Sequence, residues 1–267
     1  MNFETEIENL VVDEDSGFDA MLDTARKRTA RALDRIRRPL ARVGFVDTGL
    51  GTLFVAEGPR GIITIHYPHG DSAKGVIREL KQHFDLETDE EAARKIGASI
   101  DRVLKGDLSA LDQRIDLTLA GDGFQRRALE KLRKVPPGAV TTYQALAAIS
   151  GEPNGQRAVG NAMASNPIPV FVPCHRVIRS DGAIGNYGGG VDRKIALLRA
   201  EGFALGKELK VGDTAVYGHQ GTHIFCRPTC SAARRANRAR MLIFADAEHA
   251  RHAGLRACKL CRPASAA

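Results

Sequence analysis

Residues 141–178 read TTYQALAAISGEPNGQRAVGNAMASNPIPVFVPCHRVI, and this stretch sets the fold of the middle of the chain. Thr142 to Ile149 has the spacing of a short helix, with Thr141 or Thr142 placed to cap it. Gly151-Glu152-Pro153-Asn154-Gly155 is dense in turn formers. Gln156 to Ser165 makes a second short helix, so the whole is a helix-turn-helix pattern. Pro167, Pro169 and Pro173 follow. Each fixes its own φ and biases the residue before it away from helix, which predicts an extended, stiff path into Cys174.

Outward from this centre the period changes twice. Phe124 to Lys134 is helical and stops at Pro136-Pro137-Gly138. Between residues 41 and 67, short β-rich runs (Val43 and Phe45; Leu53 to Val55; Ile62, Ile63 and Ile65) are separated by Gly49-Leu50-Gly51 and Gly58-Pro59-Arg60-Gly61, which reads as an antiparallel meander. Helical patterns follow at 72–84, 89–96 and 99–105. Residues 17–38 form a further helical pattern with Arg26, Lys27, Arg28, Arg31, Arg35, Arg37 and Arg38 on one side. A solvated face is the plainer reading of that charge, and an auxiliary nucleic-acid-contacting arm the sharper one. After residue 206 the chain carries four cysteines, many arginines and few large apolar residues, the composition of a small unit that needs a metal staple. The fold class is therefore α/β (α+β) in four parts: 1–40, an extension with a basic helix; 41–120, a small sheet domain with helices; 121–205, a helical domain with the helix-turn-helix and Cys174; 206–267, the four-cysteine domain.

The chain has 267 residues, 43% of them hydrophobic, enough for a packed core. Its net charge of +7 suits a polyanionic partner, because each phosphate neutralised releases condensed counterions. No apolar run reaches the length of a membrane span, and the acidic, polar N-terminus lacks a secretory signal, so a cytoplasmic monomer with no membrane partner is the expectation.

Cysteine usage divides the chemistry. Cys174 stands alone, and a lone cysteine is commonly a small buried hydrophobe. Prolines that fix its backbone, with His175 and Arg176 next in line, point instead to a nucleophile, whose thiolate needs nearby positive charge or a base. Adjacency is not contact, and a thiol hydrolase fits these residues as well. Cys226-x3-Cys230, 27 residues, then Cys258-x2-Cys261 has the paired spacing of a four-thiolate zinc site. In a reducing compartment that reading outweighs disulfides.

The words VPCHRVI and, downstream, GAIGNYGGG resemble the active-site signature of the O6-alkylguanine-DNA alkyltransferases, the methylated-DNA–protein-cysteine methyltransferases. The resemblance runs from about Phe124 to Gly202, through FQRRALEKLRKVPPGAVTTYQALAAISG, RAVGNAMASNP and LLRAEG, and is weaker over 41–120. It implies direct reversal of damage in double-stranded DNA. An alkyl group on guanine O6, with thymine O4 as a second such position, passes irreversibly to Cys174. The resemblance makes His175 the base, acting through a water, oriented by Glu201. Asn166 braces the active-site turn. Tyr143 rotates the 3′ phosphate so that the nucleotide flips, Arg157 fills the vacated stack, and Tyr187 with backbone around Val177 and Gly188 lines the guanine pocket. Leu129 departs from the tryptophan common at its place, which bears on packing more than chemistry.

Physical reasons support these roles. Guanine O6 lies inside the duplex, so the base must leave the stack to be attacked. An inserted side chain offsets part of the unstacking cost of about a few kcal/mol. The product, a thioether, has no neighbour able to hydrolyse it, so no organic cofactor and no second turnover are expected.

The words IFCRPTC and HAGLRACKLCRP resemble the zinc domain of the Ada adaptive-response proteins, which repair methylphosphotriesters at their first cysteine. The resemblance implies one zinc on Cys226, Cys230, Cys258 and Cys261, with Cys226 as a second methyl acceptor. In that family the domain is N-terminal and joined to an AraC-type regulator; here it follows the alkyltransferase segment, and its lead-in, Gln220-Gly-Thr-His-Ile-Phe-Cys226, is shortened. Those departures leave the metal site intact and weaken the transfer reading, with a structural or DNA-docking module as the rival. Two alternatives to repair remain: a non-catalytic lesion sensor, disfavoured by the intact acceptor cysteine, and an adaptive-response regulator, for which no AraC-type segment is recognisable.

Overall fold

A computed structural model describes residues 19–29, 38–69 and 72–263. Residues 19–29 are helical (α1). The rest of the basic helix expected over 17–38, including Arg31, Arg35 and Arg37, lies outside the described residues apart from Arg38.

The N-terminal sheet has the order β3-β2-β1-β4. Strands β1 (Leu40–Thr48), β2 (Gly51–Gly58) and β3 (Gly61–His66) are antiparallel neighbours, as the meander predicts. Helix α2 (Ser72–His83) then carries the chain to β4 (Asp85–Thr88), which joins β1 in parallel and has no counterpart in the sequence reading. Its four residues are mostly exposed and polar, so nothing in their hydropathy marks a strand.

Helix α3 (Glu90–Leu104) is one element where the periodicity suggests two. The Asp89 side chain accepts from the Ala92 amide, and Glu90 and Glu91 sit in the positive first turn. Gly97 interrupts the apolar stripe for a packing reason: a Cβ there would collide with Val46 of β1. The glycine lets helix and strand approach, at a helix-propensity cost of about 1 kcal/mol relative to alanine.

Helix α4 (Phe124–Leu132) leads through the Pro-Pro-Gly turn into β5 (Ala139–Thr142), then α5 (Tyr143–Ile149) and α6 (Gln156–Ala164), the helix-turn-helix. Thr142 caps α5, its hydroxyl accepting from the Ala145 amide at 3.1 Å. β6 (Val177–Ile178) and α7 (Val191–Ala200) complete this part.

The tail contains β7 (Val216–His219), β8 (Ile224–Cys226), α8 (Ser231–Arg235), β9 (Met241–Phe244), α9 (Ala247–His252) and β10 (Arg256–Ala257). It is not a separate core-poor unit. One sheet of order β10-β8-β7-β9-β5-β6 runs from the tail into the helix-turn-helix region, with Ala139 opposite Phe244 and Val140 opposite Ile243. Phe225, Leu242 and Phe244 belong to the same buried cluster as Leu53, Leu129, Leu146 and Cys174. The few apolar residues of the tail are enough because they complete an existing core. No described helix is long and apolar enough to cross a membrane.

Candidate active site

The approach to Cys174 is a compact turn rather than an extended path. The Val172 amide donates to the Ile168 carbonyl at 2.8 Å and the Cys174 amide to the Val172 carbonyl at 2.8 Å. Between them Val170 is fully buried in the left-handed region at φ 76°, a strained place for a β-branched residue. Asn166 holds this turn closed. Its amide nitrogen donates to the Val172 carbonyl at 2.8 Å and to Cys174 Sγ at 3.0 Å, while its oxygen accepts from the Ile168 amide at 3.1 Å. The prolines restrict φ but do not forbid turns, and the Asn166 side chain decides between the two.

Cys174 opens a single 3-10 turn, Cys174–Arg176, with all three side chains buried. His175 Nε2 lies 2.9 Å from Glu201 Oε1. Arg176 grips the same carboxylate, its Nη2 donating at 2.7 Å and its Nε at 2.9 and 3.0 Å, while Nη1 donates to the Val135 carbonyl at 2.6 Å. Glu201 itself is the C-cap of α7 and has no exposed surface.

The charge states follow. Burial would raise the Glu201 carboxyl, but His175 and Arg176 beside it hold it at about 2. Burial lowers the His175 imidazole in spite of Glu201, so it is neutral at rest. A neutral His175 donates its Nε2 proton to the carboxylate, which leaves the Nδ1 lone pair without a protein partner. Burial raises the Cys174 thiol, while hydrogen bonds from Asn166 and Tyr187 and the Lys194 charge pull the other way. The resting sulfur is thus a thiol, next in sequence to a neutral His175, and the Lys194 charge already favours its thiolate.

A cavity of about 140 Å3 opens on Cys174, lined by Tyr67, Met163, Asn166, Pro169, Tyr187 and Gly188. The Tyr67 and Tyr187 hydroxyls lie 3.5 Å apart, and the Arg193 guanidinium sits 4.8 Å from the centre of the Tyr67 ring.

At the far end of the long sheet, Cys226, Cys230 and Cys258 are buried and Cys261 is half-buried, and their four Sγ atoms lie within 4.8 Å of one another. Four sulfurs around one zinc at about 2.3 Å fit in such a cluster. The Arg227 amide donates to Cys261 Sγ at 3.4 Å, a contact suited to a thiolate.

Residues 123–203 match the family model described as the DNA binding domain of 6-O-methylguanine DNA methyltransferase, and residues 205–264 match the metal binding domain of Ada. The two matched segments follow one another along the chain. The Escherichia coli (strain K12) bifunctional transcriptional activator/DNA repair enzyme Ada is 36% identical over 165 residues, 60% of this chain and 45% of that protein. The methylated-DNA–protein-cysteine methyltransferase of Rattus norvegicus is 55% identical over 93 residues, 34% of this chain and 44% of that protein. The chain thus spans less than half the length of either relative. A solved structure of Mycobacterium tuberculosis OGT in complex with DNA aligns at 30% identity over 61% of this chain and 92% of that one, with a TM-score of 0.48.

Within residues 123–203, Asn166, Tyr187 and Gly188 gather at the Cys174 cavity, and His175 pairs with Glu201. The Val177 carbonyl is taken up by Lys194 instead of facing the cavity alone. Tyr143, half-buried at the start of α5, is close enough to Cys174 for that sulfur to raise its hydroxyl pKa, after burial itself. The side chain of Arg157, exposed on α6, makes no hydrogen bond or ion pair among the described residues. The sequence names Arg176 only as a charge next to Cys174, whereas its guanidinium lies on Glu201. Two residues escaped the sequence reading. Lys194 is fully buried, donating to the carbonyls of Val177 at 2.7 Å, Ile184 at 2.5 Å and Asn186 at 3.4 Å, with its pKa lowered by burial to about 8. Its place on one helical stripe with Leu197 and Leu198 was the available signal. Tyr67 arrives from beyond β3, and nothing local to it marks a pocket residue.

Proposed function

We propose that this protein removes alkyl groups from guanine O6 in double-stranded DNA by transferring them to Cys174 Sγ, once per molecule. The observation that carries the reading is the buried Cys174–His175–Glu201 arrangement, in which His175 has an unpartnered Nδ1 and an ionised carboxylate behind it. His175, through a water, takes the thiol proton and becomes an imidazolium stabilised by Glu201. The thiolate sulfur forms a bond to the alkyl carbon as the carbon–O6 bond breaks, and the electron pair returns to the guanine ring. The Tyr143 and Tyr187 hydroxyls, both held protonated by burial, are the proton donors available to that leaving group. Lys194 adds a positive charge next to the thiolate at the moment it forms. A lesion sensor would need none of this apparatus.

Mixed with excess O6-methylguanine duplex, each molecule should remove one methyl and gain one methyl mass on the Cys174 peptide. Sustained turnover would end the proposal. Cys174→Ala should abolish transfer and leave duplex binding largely unchanged.

Arg157 is read as the residue that replaces the flipped nucleotide because the resemblance of its segment implies it, and its exposure at the helix-turn-helix supports that role. Arg157→Ala should slow repair of duplex about tenfold, the equivalent of about 1.4 kcal/mol, and leave the reaction with free O6-methylguanine base unchanged. Equal losses on both substrates would show that Arg157 has no part in flipping.

The match of residues 205–264 to the Ada metal binding domain favours a second acceptor at Cys226. Cys174→Ala protein given a methylphosphotriester oligonucleotide should carry methyl on Cys226. Methyl on no tail cysteine, with the metal retained, would leave Cys174 as the sole acceptor.

A further inference from the structure

We infer that the metal-binding domain and the helix-turn-helix form one continuous face for a single DNA duplex, with Arg234 and Arg238 holding its phosphates beside α5. The inference rests on the DNA reading above and deepens it, since it says what the attached domain does for repair at Cys174.

The first observation is charge. From Tyr217 to Ala245 the chain has no acidic residue and five arginines: Arg227, Arg234, Arg235, Arg238 and Arg240. The last four are exposed, and their guanidiniums make no hydrogen bond or ion pair among the described residues. Four unpaired guanidiniums within seven residues repel one another, and the arrangement is stable against that cost when a polyanion supplies the counter-charge.

The second observation is place. The turn Arg238–Arg240 packs directly on α5, the first helix of the helix-turn-helix. Between them lies an open groove of about 480 Å3, with Gln144 and Asn154 on one wall, Arg234, Asn237 and Arg238 on the other, and Tyr217 and Ile243 of the sheet beneath. The walls thus offer side-chain amides facing guanidiniums, the groups that take phosphate oxygens. An acidic protein partner would meet the same arginines, but it would have no reason to track the turn that leads to Arg157.

The third observation is rigidity. β9 follows the arginine segment directly and pairs with β5, and β5 runs straight into α5. The Asn237 side chain accepts from the Ala239 amide at 3.0 Å and fixes the turn. The arginines are therefore held at one position relative to the helix-turn-helix by a sheet rather than by a linker, and phosphates engaged by one module sit in register for the other.

The test is the salt dependence of binding by the full-length protein to a duplex carrying one O6-methylguanine. Each phosphate contact contributes about 0.9 to the slope of log K against log salt, so the Arg234→Ala/Arg238→Ala double variant should lose about 1.8 from the slope. Its single-turnover rate on dilute duplex should fall in step with affinity, while its rate on free O6-methylguanine base and its metal content stay at wild-type values. An Arg234→Lys/Arg238→Lys variant should keep the slope. Wild-type protein should also lose affinity when the duplex is trimmed on one side of the lesion sooner than on the other, and the double variant should lose that asymmetry. An unchanged slope and symmetric trimming, with wild-type transfer intact, overturn the shared face. Failure of the wild-type protein to take methyl at all would instead overturn the repair reading.

Discussion

Glu201→Gln is expected to cost about 3–5 kcal/mol of stability and to slow transfer to Cys174 by about a hundredfold or more. The stability loss comes from Arg176. Arg176 is 3% exposed and its guanidinium donates three of its contacts to Glu201, so removal of the carboxylate charge leaves a buried cation facing a neutral amide. The kinetic loss comes from His175, whose imidazolium, formed as the thiol ionises, would lose its counter-charge 2.9 Å away. Acid gives an independent check. A carboxyl held at about 2 against an ordinary value of 4.5 contributes stability that is fully present above pH 4.5 and is lost as pH falls toward 2. A shift of that size is worth about 3 kcal/mol. Asp89, Asp107, Asp116, Asp181 and Asp246 are also lowered, so wild-type protein loses stability in acid for several reasons. The difference between wild type and Glu201→Gln isolates one of them: the gap in urea midpoints should be widest near neutrality and narrow between pH 4.5 and 2. A constant gap, or a rate within twofold of wild type, would remove Glu201 from the role given to it.

The motif residues were legible because their chemistry is compressed into a few words of sequence. Cys174, His175 and Asn166 lie within ten residues, and Glu201 follows one short helix later. What escaped was set by three-dimensional packing. Tyr67 reaches the cavity from the N-terminal domain, more than a hundred residues before Cys174, and its neighbours His66 and Pro68 give no sign of it. β5 reads as a helix cap preceded by two apolar residues, because four residues are too few to show a strand period. β9 is a plain apolar run, Met-Leu-Ile-Phe, and of its two partners β5 lies about a hundred residues upstream. Local composition therefore described the tail as an isolated staple, whereas the free energy that decides its placement comes from burying Phe225, Leu242 and Phe244 against a core the tail does not itself contain.

That docking makes the metal matter to Cys174. Purified protein should hold about one zinc per chain, as a closed four-sulfur site requires. Its removal, by chelation or by Cys258→Ser, should lower the unfolding midpoint, because structural zinc sites contribute on the order of 10 kcal/mol to the folding of small domains. The loss should not stop at the tail. The Ala245 amide donates to the Gly138 carbonyl at 2.9 Å, and the His249 ring, anchored by its 2.9 Å contact with Asp246, fills the space beside Gly138 and Gly202. Both glycines have left-handed φ, 72° and 88°, and a Cβ on either would collide with that ring. Gly202 directly follows Glu201, and Val135, which binds Arg176, begins the turn that ends at Gly138. The tail thus packs behind the carboxylate that orients His175. Zinc-free protein should transfer methyl from the free O6-methylguanine base more slowly than holoprotein, a substrate on which duplex contacts have no bearing. His249→Ala should reproduce part of that loss with zinc still bound, since it removes the wedge and keeps the four thiolates. An unchanged free-base rate in both would show that the sheet joins the two domains without transmitting anything to the reacting sulfur.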